Sequence, residues 1–242
     1  PPWAKLPGVG PPDQRVVVDP SRPPWRAIGR VQTELGGRCT GFLVGPRTVI
    51  TAAHCLFLRR PQHYVQPGSV HFVTGYAFGA YAGHAIATRF AVAPGYDPAH
   101  EAQTAGADWA VLTLAAPLGT PDRILPLASA PSPGAPVALG GYSQDRAEVI
   151  DADLHCAISA RTADAEGRAL ITHTCNASRG TSGAPLLAQT ANGGWEVVGI
   201  QIGATPGQAG GLAVPASAVE LQRRTRRSRR AIASASRTSR GP

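Results

Sequence analysis

The chain has 242 residues, of which 43% are hydrophobic and 16% are charged, and this balance excludes a disordered chain and a coiled coil. The length allows one large domain or two domains of about 100 residues each. The net charge of +8 comes from the arginines that follow Glu220, so the remaining chain is nearly neutral and its charge excludes a nucleic-acid-binding surface on the folded body.

Short β-like runs, separated by turn residues, follow an irregular and proline-rich segment at residues 1–27. Several runs alternate apolar and polar residues and are enriched in Val, Ile and Thr, which is typical of half-buried strands. The first six predicted strands are 31–35, 39–44, 48–52, 69–73, 85–90 and 109–114. The second six are 135–139, 153–158, 170–174, 184–188, 195–202 and 211–215. Twelve short strands with no helices between them predict antiparallel barrels rather than a parallel sheet.

A proline-rich connection with little periodicity separates the first six strands from the second six. It predicts an N-terminal β-barrel at 28–118, a linker at 119–134 and a C-terminal β-barrel at 135–215. The segment 216–242 is predicted to begin as a short helix and to continue beyond about Arg226 as a basic, disordered tail. No run of 18 apolar residues occurs, so we predict no transmembrane segment.

The run T51-A-A-H-C55 places a histidine directly after an apolar strand. Histidine is the side chain suited to taking and returning a proton near neutral pH. The two alanines let the backbone pack closely at this point. A lone histidine is more often structural, so His54 becomes a candidate base only together with other motifs.

The run A107-D-W-A-V-L-T-L114 places Asp108 immediately before an apolar strand. The ordinary interpretation is a strand end with a solvated turn. The functional interpretation is a buried carboxylate that orients an imidazole through its N–H. Asp97 is the nearest competitor, but it lies in the turn G95-Y-D-P, where aspartate is favoured for local hydrogen bonding, and we assign it to that turn.

The run G180-T-S-G-A-P185 places Ser182 between glycines. A serine hydroxyl is a poor nucleophile unless a base removes its proton. Flanking glycines allow a sharp turn, in which the N–H groups of Gly180 and Ser182 would form an oxyanion hole. A plain Gly/Ser loop is the alternative. The chain order His, Asp, Ser and the sequence around Ser182 both differ from those of α/β-hydrolases.

Together, T51-A-A-H-C, D108-W-A-V-L and G180-T-S-G-A-P resemble the signature blocks of chymotrypsin-fold, trypsin-like serine proteases, and the resemblance spans about residues 25–218. It implies an all-β fold of two antiparallel six-stranded β-barrels with the active site in the cleft between them. It also implies that His54 is the base and then the acid, that Asp108 orients it, and that Ser182 is the nucleophile.

One departure from this pattern concerns activation. Digestive members of the family have an aspartate just before the nucleophile, which pairs with a new N-terminus, whereas this chain has Thr181, so we expect that switch to be missing. The second half of the chain resembles the bacterial secreted branch that includes glutamyl endopeptidases. The dipeptide Arg15–Val16 resembles a zymogen cleavage site and predicts a mature N-terminus at Val16.

Four cysteines are present, and an even number fits two disulfides and an oxidising compartment. The resemblance and the placement of the strands imply the pairs Cys39–Cys55 and Cys156–Cys175, with reduced buried thiols as the alternative. We therefore expect a secreted or periplasmic protein.

The resemblance also gives the position of the primary substrate pocket, at residues 176–179 and 201–203. Its candidate residues are Asn176, Arg179, Gln201 and Gly203. No acid lies in either stretch, so a preference for Arg or Lys is unsupported. The glutamyl branch has a histidine where Gln201 stands, and its absence weakens an acidic preference. Arg179 could supply a positive charge, although a solvated loop arginine is the common alternative.

The remaining histidines and the cysteines do not form H-E-x-x-H or C-x-x-C spacings, so we predict no metal and no cofactor. The predicted partners are protein or peptide substrates, and we expect a monomer. Two other functions stay open. One is a non-catalytic binding module on the same fold, and the other is polyanion binding through the arginine-rich tail, which is otherwise a solvated terminus.

Overall fold

A computed structural model describes residues 6–221 of the chain. Fifteen strands lie within these residues: β1 (Val16–Val17), β2 (Ile28–Thr33), β3 (Arg38–Gly45), β4 (Thr48–Thr51), β5 (Phe57–Leu58), β6 (His63–Tyr64), β7 (Val70–Thr74), β8 (Gly83–Val92), β9 (Ala110–Leu114), β10 (Pro136–Gly141), β11 (Asp151–Ala163), β12 (Ala169–His173), β13 (Pro185–Gln189), β14 (Trp195–Ala204) and β15 (Gly211–Pro215).

Among the described residues, helical structure is limited to short elements. Single 3₁₀ turns lie at Trp25–Ala27, Ala53–Leu56, Pro67–Ser69, Ala105–Ala107, Pro121–Arg123 and Gln144–Arg146. An α-helix begins at Ala216 and is described as far as Leu221. No helix in this part of the chain is long and apolar enough to cross a membrane. The predicted disordered tail beyond Arg226 lies outside the described residues.

The first barrel closes in the order β2-β3-β4-β9-β8-β7, with every neighbouring pair antiparallel. Because side chains alternate between the two faces of a strand, one apolar set from each strand fills the interior. Fully buried members of this set are Val31, Leu43, Val49, Phe72 and Leu112.

The second barrel follows the order β11-β10-β13-β14-β15-β12 and closes through the β11–β12 pairing. Strand β1 lies outside this ring and pairs with β11, with Val16 opposite Ala152. The interior again consists of fully buried aliphatic side chains, among them Leu139, Ile158, Ile171, Leu186 and Val198. The prediction of an all-β fold with two six-stranded antiparallel barrels and a short C-terminal helix is confirmed.

The connection between the barrels runs along both of them. The N–H of Leu125 donates to the carbonyl of Leu43 in the first barrel, at 2.9 Å, while the N–H of Ala128 donates to Val197 in the second, also at 2.9 Å. The structure has both disulfides with the predicted pairing, Cys39–Cys55 and Cys156–Cys175. The first of them fixes the segment that follows β4 against β3, next to the cleft.

Candidate active site

His54 and Asp108 meet because the strands that carry them are neighbours. His54 lies in the 3₁₀ turn directly after β4, Asp108 lies two residues before β9, and β4 pairs with β9 through Thr51 opposite Ala110. One carboxylate oxygen of Asp108 is 2.6 Å from His54 Nδ1, and the other accepts the backbone N–H of His54 at 2.9 Å. The sheet register thus presents the carboxylate to the backbone nitrogen and the ring Nδ1 of His54.

The surroundings of this pair fix the chemical form of the histidine. The Asp108 residue is only 6% exposed, and an ionised carboxylate accepts hydrogen bonds only. The proton therefore lies on Nδ1, which leaves the lone pair of Nε2 available. Burial disfavours the imidazolium form, but the charge and hydrogen bond of Asp108 outweigh it and raise the pKa of His54 above its ordinary value.

The segment that precedes Asp108 is anchored on the second barrel. The N–H of Gly106 donates to Oδ2 of Asp164 at 2.9 Å, and the side chain of Asp164 is fully buried. The backbone N–H of Arg168 donates to the other oxygen at 2.8 Å. Asp164 lies in the turn between β11 and β12, so this carboxylate ties the Asp108 segment across the cleft. No local motif marked Asp164 in the sequence.

The Ser182 turn is docked onto the strand next to the one that carries His54. The backbone N–H of Thr40 donates to the carbonyl of Ser182 at 2.8 Å, and the Thr40 hydroxyl donates to the carbonyl of Gly180 at 2.9 Å. The Ser182 carbonyl is also 3.9 Å from Sγ of Cys55, the neighbour of His54. His54, Asp108 and Ser182 therefore lie on neighbouring segments, each of which is separately braced.

The turn itself leaves two amides unused. Gly180 and Gly183 both have positive φ, at 95° and 83°, which glycine adopts at little cost. The N–H of Thr181 donates to the carbonyl of Ser178 at 3.3 Å, whereas the N–H groups of Gly180 and Ser182 have no acceptor among residues 6–221. Ser182 is half-buried. Two unpaired amides on either side of a bonded one fit an anion-binding turn.

A family model described as a trypsin-like peptidase domain matches residues 39–200, which is more than half of the chain. The chain belongs to this family. Three solved structures share its fold at 20–21% identity. A Glu endopeptidase in complex with MPD has a TM-score of 0.72 over 90% of this chain and 98% of its own.

The other two structures are proteases with a TM-score of 0.62 each. The thermostable protease AL20 from an extremophilic microorganism covers 81% of this chain and 94% of its own. Protease Anisep from Arthrobacter nicotinovorans covers 83% and 93%. A glutamyl endopeptidase of Bacillus licheniformis is 39% identical over 49 residues, which is 20% of this trypsin-like domain and only 15% of that protein.

Two of the predicted pocket residues, Asn176 and Arg179, differ in their burial and contacts. Asn176 is buried, its Nδ2 donates to Asp153 at 2.9 Å, and its Oδ1 accepts the N–H of Gly10 at 2.9 Å. Both ends of this side chain are thus occupied by the protein. The side chain of Arg179 is exposed, and its carbonyl accepts the N–H of Gln144 at 2.6 Å.

Gln201 is the predicted pocket residue that is held beside Ser182. Its carbonyl accepts the N–H of Gly183 at 2.7 Å, one residue from Ser182. Its side-chain Oε1 is 2.6 Å from Nε2 of His173, and its Nε2 donates to the carbonyl of Gly203 at 2.8 Å. Sequence reasoning missed His173, which lies far away along the chain.

The His173 ring is a neutral partner. The N–H of Cys175 donates to its Nδ1 at 3.2 Å, so Nε2 carries the proton and donates to Gln201. Burial lowers the pKa of His173 more than the hydrogen bond to Gln201 raises it. An uncharged pair therefore backs the predicted pocket.

Asp97 lies in its turn, where it accepts the N–H of Ala99 at 2.9 Å and contacts His100 at 2.8 Å.

Potential metal-binding atoms of Cys39, His54 and Cys55 lie within 4.8 Å of one another. Both sulfurs of this group belong to a disulfide, so neither is a thiolate ligand.

Proposed function

We propose that this trypsin-like peptidase domain is a serine endopeptidase that uses His54, Asp108 and Ser182 as its catalytic triad. The observation that carries the proposal is the double hydrogen bond between Asp108 and His54, at 2.6 Å to Nδ1 and 2.9 Å to the backbone. It leaves Nε2 of the imidazole available to act as a base, and the Ser182 carbonyl lies 3.9 Å from Sγ of Cys55, the neighbour of His54. The family supplies the reaction class, which is peptide-bond hydrolysis.

In the proposed mechanism, Ser182 Oγ attacks the carbonyl carbon of the substrate while His54 Nε2 takes the hydroxyl proton. The imidazolium that forms is stabilised by Asp108 and then gives its proton to the leaving amine. An acyl-enzyme ester on Ser182 remains. Water attacks this ester, His54 again takes and returns a proton, and the acid product leaves.

The two unpaired amides of the Ser182 turn support a role in this reaction. As the carbonyl becomes tetrahedral, its oxygen gains negative charge, and the N–H groups of Gly180 and Ser182 would donate to it. One such donor is typically worth about 3 kcal/mol in the transition state. Thr181 contributes none, since its N–H is already bonded within the turn.

The proposed substrates are proteins or peptides, and the primary pocket would be formed around Gln201 and Gly203. The uncharged Gln201–His173 pair supports a preference for an uncharged residue before the scissile bond. The sequence likeness to a glutamyl endopeptidase covers only 20% of this chain and 15% of that protein. The structural likeness to a Glu endopeptidase is at 21% identity and shows the fold alone, so neither carries that specificity over. Two disulfides support a secreted or periplasmic location.

Labelling with a fluorophosphonate probe tests the proposal directly, because the probe reacts only with an activated serine. We expect wild-type protein to be labelled and Ser182→Ala to be unlabelled. Ser69→Ala, which changes a half-buried serine in the 3₁₀ turn before β7, is the matched control and is expected to label like wild type. Absence of labelling in the wild type would instead favour a non-catalytic binding module.

A peptide blocked at both termini separates endopeptidase from exopeptidase activity. Mass spectrometry is expected to show internal cleavage by wild-type protein and none by Ser182→Ala. Cleavage of unblocked peptides alone would reject the endopeptidase assignment while keeping the peptidase class. The polyanion-binding alternative rests on a tail that lies outside the described residues, and it stays a prediction.

A further inference from the structure

A buried ion cluster joins the N-terminal segment to the second barrel. The Arg15 side chain is only 2% exposed, and it pairs with Asp13 at 2.9 Å, Asp145 at 2.7 Å and Asp151 at 3.2 Å. The contact with Asp145 is a fork, since both terminal nitrogens of Arg15 donate to the two carboxylate oxygens, at 3.0 and 2.7 Å. Such bidentate pairs fix orientation as well as distance.

A second arginine completes the cluster. Arg146 donates to the backbone carbonyl of Arg15 at 2.9 Å and to Asp13 at 2.8 Å. Asp151 accepts the hydroxyl of Ser143 at 2.6 Å. The 3₁₀ turn Gln144–Arg146 is therefore held between the N-terminal segment and β11.

The cluster continues directly into the Ser182 turn. Asp145 accepts the hydroxyl of Ser178 at 2.5 Å, and the Ser178 carbonyl accepts both the N–H and the hydroxyl of Thr181, the hydroxyl at 2.6 Å. A side chain at Gly180 would come within 2.4 Å of the Tyr142 carbonyl. The carbonyl groups and amides around Gly180 are thus seated on the segment that Arg15 holds.

The ion pair between Arg15 and Asp145 stays charged over the pH range in which peptidases work. Burial would raise the pKa of Asp145, but hydrogen bonds from Arg15 and Ser178 outweigh it and lower the pKa to about 2. Burial would lower the pKa of Arg15, but its bonds to Asp145 and Asp13 raise it above the ordinary value. Asp151 has a pKa raised mainly by burial.

We propose that Arg15 is a positioning residue for the active site: its guanidinium, supplied by the N-terminal segment, fixes Asp145 and thereby the turn that carries Gly180. The inference rests on the proposed function. A buried cation from within the chain would thus hold in place the turn whose Gly180 and Ser182 amides are proposed to bind the oxyanion. Thr181 cannot provide such a brace by ion pairing, because it is uncharged and its hydroxyl is spent on Ser178.

The N-terminal segment is consequently part of the working molecule. It is held at further points, since the N–H of Gly8 donates to Thr205 at 2.8 Å and its carbonyl accepts from Ala177 at 2.9 Å. The predicted cleavage after Arg15 conflicts with this role, because release of the N-terminal segment would remove the guanidinium from the cluster. Val16 is 48% exposed on the edge strand β1.

The decisive experiment compares Arg15→Ala with Arg22→Ala, which removes an exposed arginine of the same segment. We expect Arg15→Ala to keep its near-UV circular dichroism but to label with the fluorophosphonate probe at least 10-fold more slowly. The upper bound is the roughly 10²–10³-fold cost of losing one oxyanion donor. Added methylguanidinium, below denaturing concentrations, is expected to restore labelling in Arg15→Ala and to leave Asp145→Asn unchanged.

Hydrogen exchange gives a readout that needs no activity. The amides of residues 178–182 are expected to exchange faster in Arg15→Ala than in Arg22→Ala. Equal labelling and equal exchange in the two variants would overturn the proposal, as would a loss that methylguanidinium fails to restore. If Arg15→Ala does not fold, Ser178→Ala is the deciding variant, because it removes the hydrogen bond to Asp145 and leaves the ion cluster whole. Labelling at the wild-type rate would overturn the proposal, and slower labelling would support it.

Intact-mass analysis of probe-labelled wild-type protein tests the segment itself. Labelled chains are expected to contain Asp13 and Arg15. Labelled chains that begin at Val16, with the segment released, would overturn the proposal. Failure of the proposed function looks different, since no wild-type chain would then be labelled at all and the exchange comparison would still decide the role of Arg15.

Discussion

The backbone N–H of Thr40 donates a 2.8 Å hydrogen bond to the carbonyl oxygen of Ser182. The same residue donates its hydroxyl to Gly180 at 2.9 Å and accepts the N–H of Tyr142 at 2.9 Å. Thr40 is fully buried on β3 of the first barrel, while its three partners belong to the second. The position of Ser182 relative to His54 is therefore set by a strand of the first barrel rather than by the turn alone.

Replacing Thr40 by valine tests this role, because the two side chains have nearly the same shape. The carbonyl of Gly180 and the N–H of Tyr142 would each lose a partner in a buried place, and an unsatisfied buried group costs about 1–3 kcal/mol. We expect Thr40→Val to lower the free energy of unfolding in urea and to slow labelling of Ser182.

Thr40→Ser is the matched control for this substitution. It keeps the hydroxyl and loses only a methyl group, so it is expected to retain the activity of wild type and most of its stability. A Thr40→Val protein as stable and as reactive as Thr40→Ser would show that the two side-chain hydrogen bonds do not hold the barrels together.

Gly183 allows the closest approach between the Ser182 turn and the first barrel. Its φ is +83°, and a Cβ there would lie 2.2 Å from the Thr40 carbonyl and 2.4 Å from the hydroxyl of Thr51. We expect Gly183→Ala to displace the turn and to abolish labelling of Ser182, with a loss of stability well beyond the roughly 1–2 kcal/mol of the positive φ alone.

Gly193→Ala separates these two contributions. Gly193 has a similar φ of +76° but open space around it, so this variant is expected to lose only about 1–2 kcal/mol and to label normally. Urea unfolding of both variants gives the comparison. Equal losses would mean that close packing at Gly183 contributes nothing.

Much of the fold was predictable because strands leave a local pattern. All twelve strands of the two barrels overlap runs that alternate or are rich in Val, Ile and Thr, such as Trp195–Ala204. The strands that were missed, β1, β5 and β6, have two residues each. A period of two cannot be detected over two residues, so their pairing depends on the surrounding tertiary structure.

The residues of the candidate site also differ in whether the sequence predicts them. His54, Asp108 and Ser182 lie in short motifs that can be recognised locally. The residues that brace them do not, since Arg15, Thr40 and Asp164 are single polar residues whose partners lie 130, 140 and 58 positions away. Which polar side chain meets which backbone group depends on how the two barrels are placed, and one sequence does not reveal that placement.

The pH dependence of activity follows from the His54–Asp108 pair. His54 must be neutral to accept a proton, and Asp108 raises its pKa. Activity is therefore lost as the pH falls through a value above about 6.5, the pKa of a free histidine. We expect Asp108→Asn to move this limb to lower pH and to reduce kcat by about 10⁴-fold, because the correct tautomer is no longer held.

Asp97→Asn is the control for this substitution, since Asp97 lies in an exposed turn and contacts His100 instead. Its profile of kcat/KM against pH is expected to match that of wild type. If the fall in kcat/KM at low pH occurs at the same pH in Asp108→Asn as in wild type, the titrating base is a group other than His54.

The Gln201–His173 pair gives a prediction about substrate choice. Gln201 spends its Oε1 on His173 and donates from Nε2 to Gly203, and the lowered pKa of His173 keeps that ring neutral. No charge from this pair is available to a glutamate side chain in the proposed pocket. Wild-type protein is therefore expected to cleave peptides with Gln before the scissile bond at higher kcat/KM than matched peptides with Glu.

Replacing Gln201 by histidine would place an imidazole at the position where the glutamyl branch has one. A hydrogen bond to a charged group is worth about 1.5–3 kcal/mol, so Gln201→His is expected to raise the Glu-to-Gln ratio of kcat/KM by roughly 10–100-fold. The gain should be larger at pH 6 than at pH 8, because only the protonated ring attracts the carboxylate. Gln103→His, on the exposed surface, controls for an added histidine. An unchanged ratio in Gln201→His would place the primary pocket away from this residue.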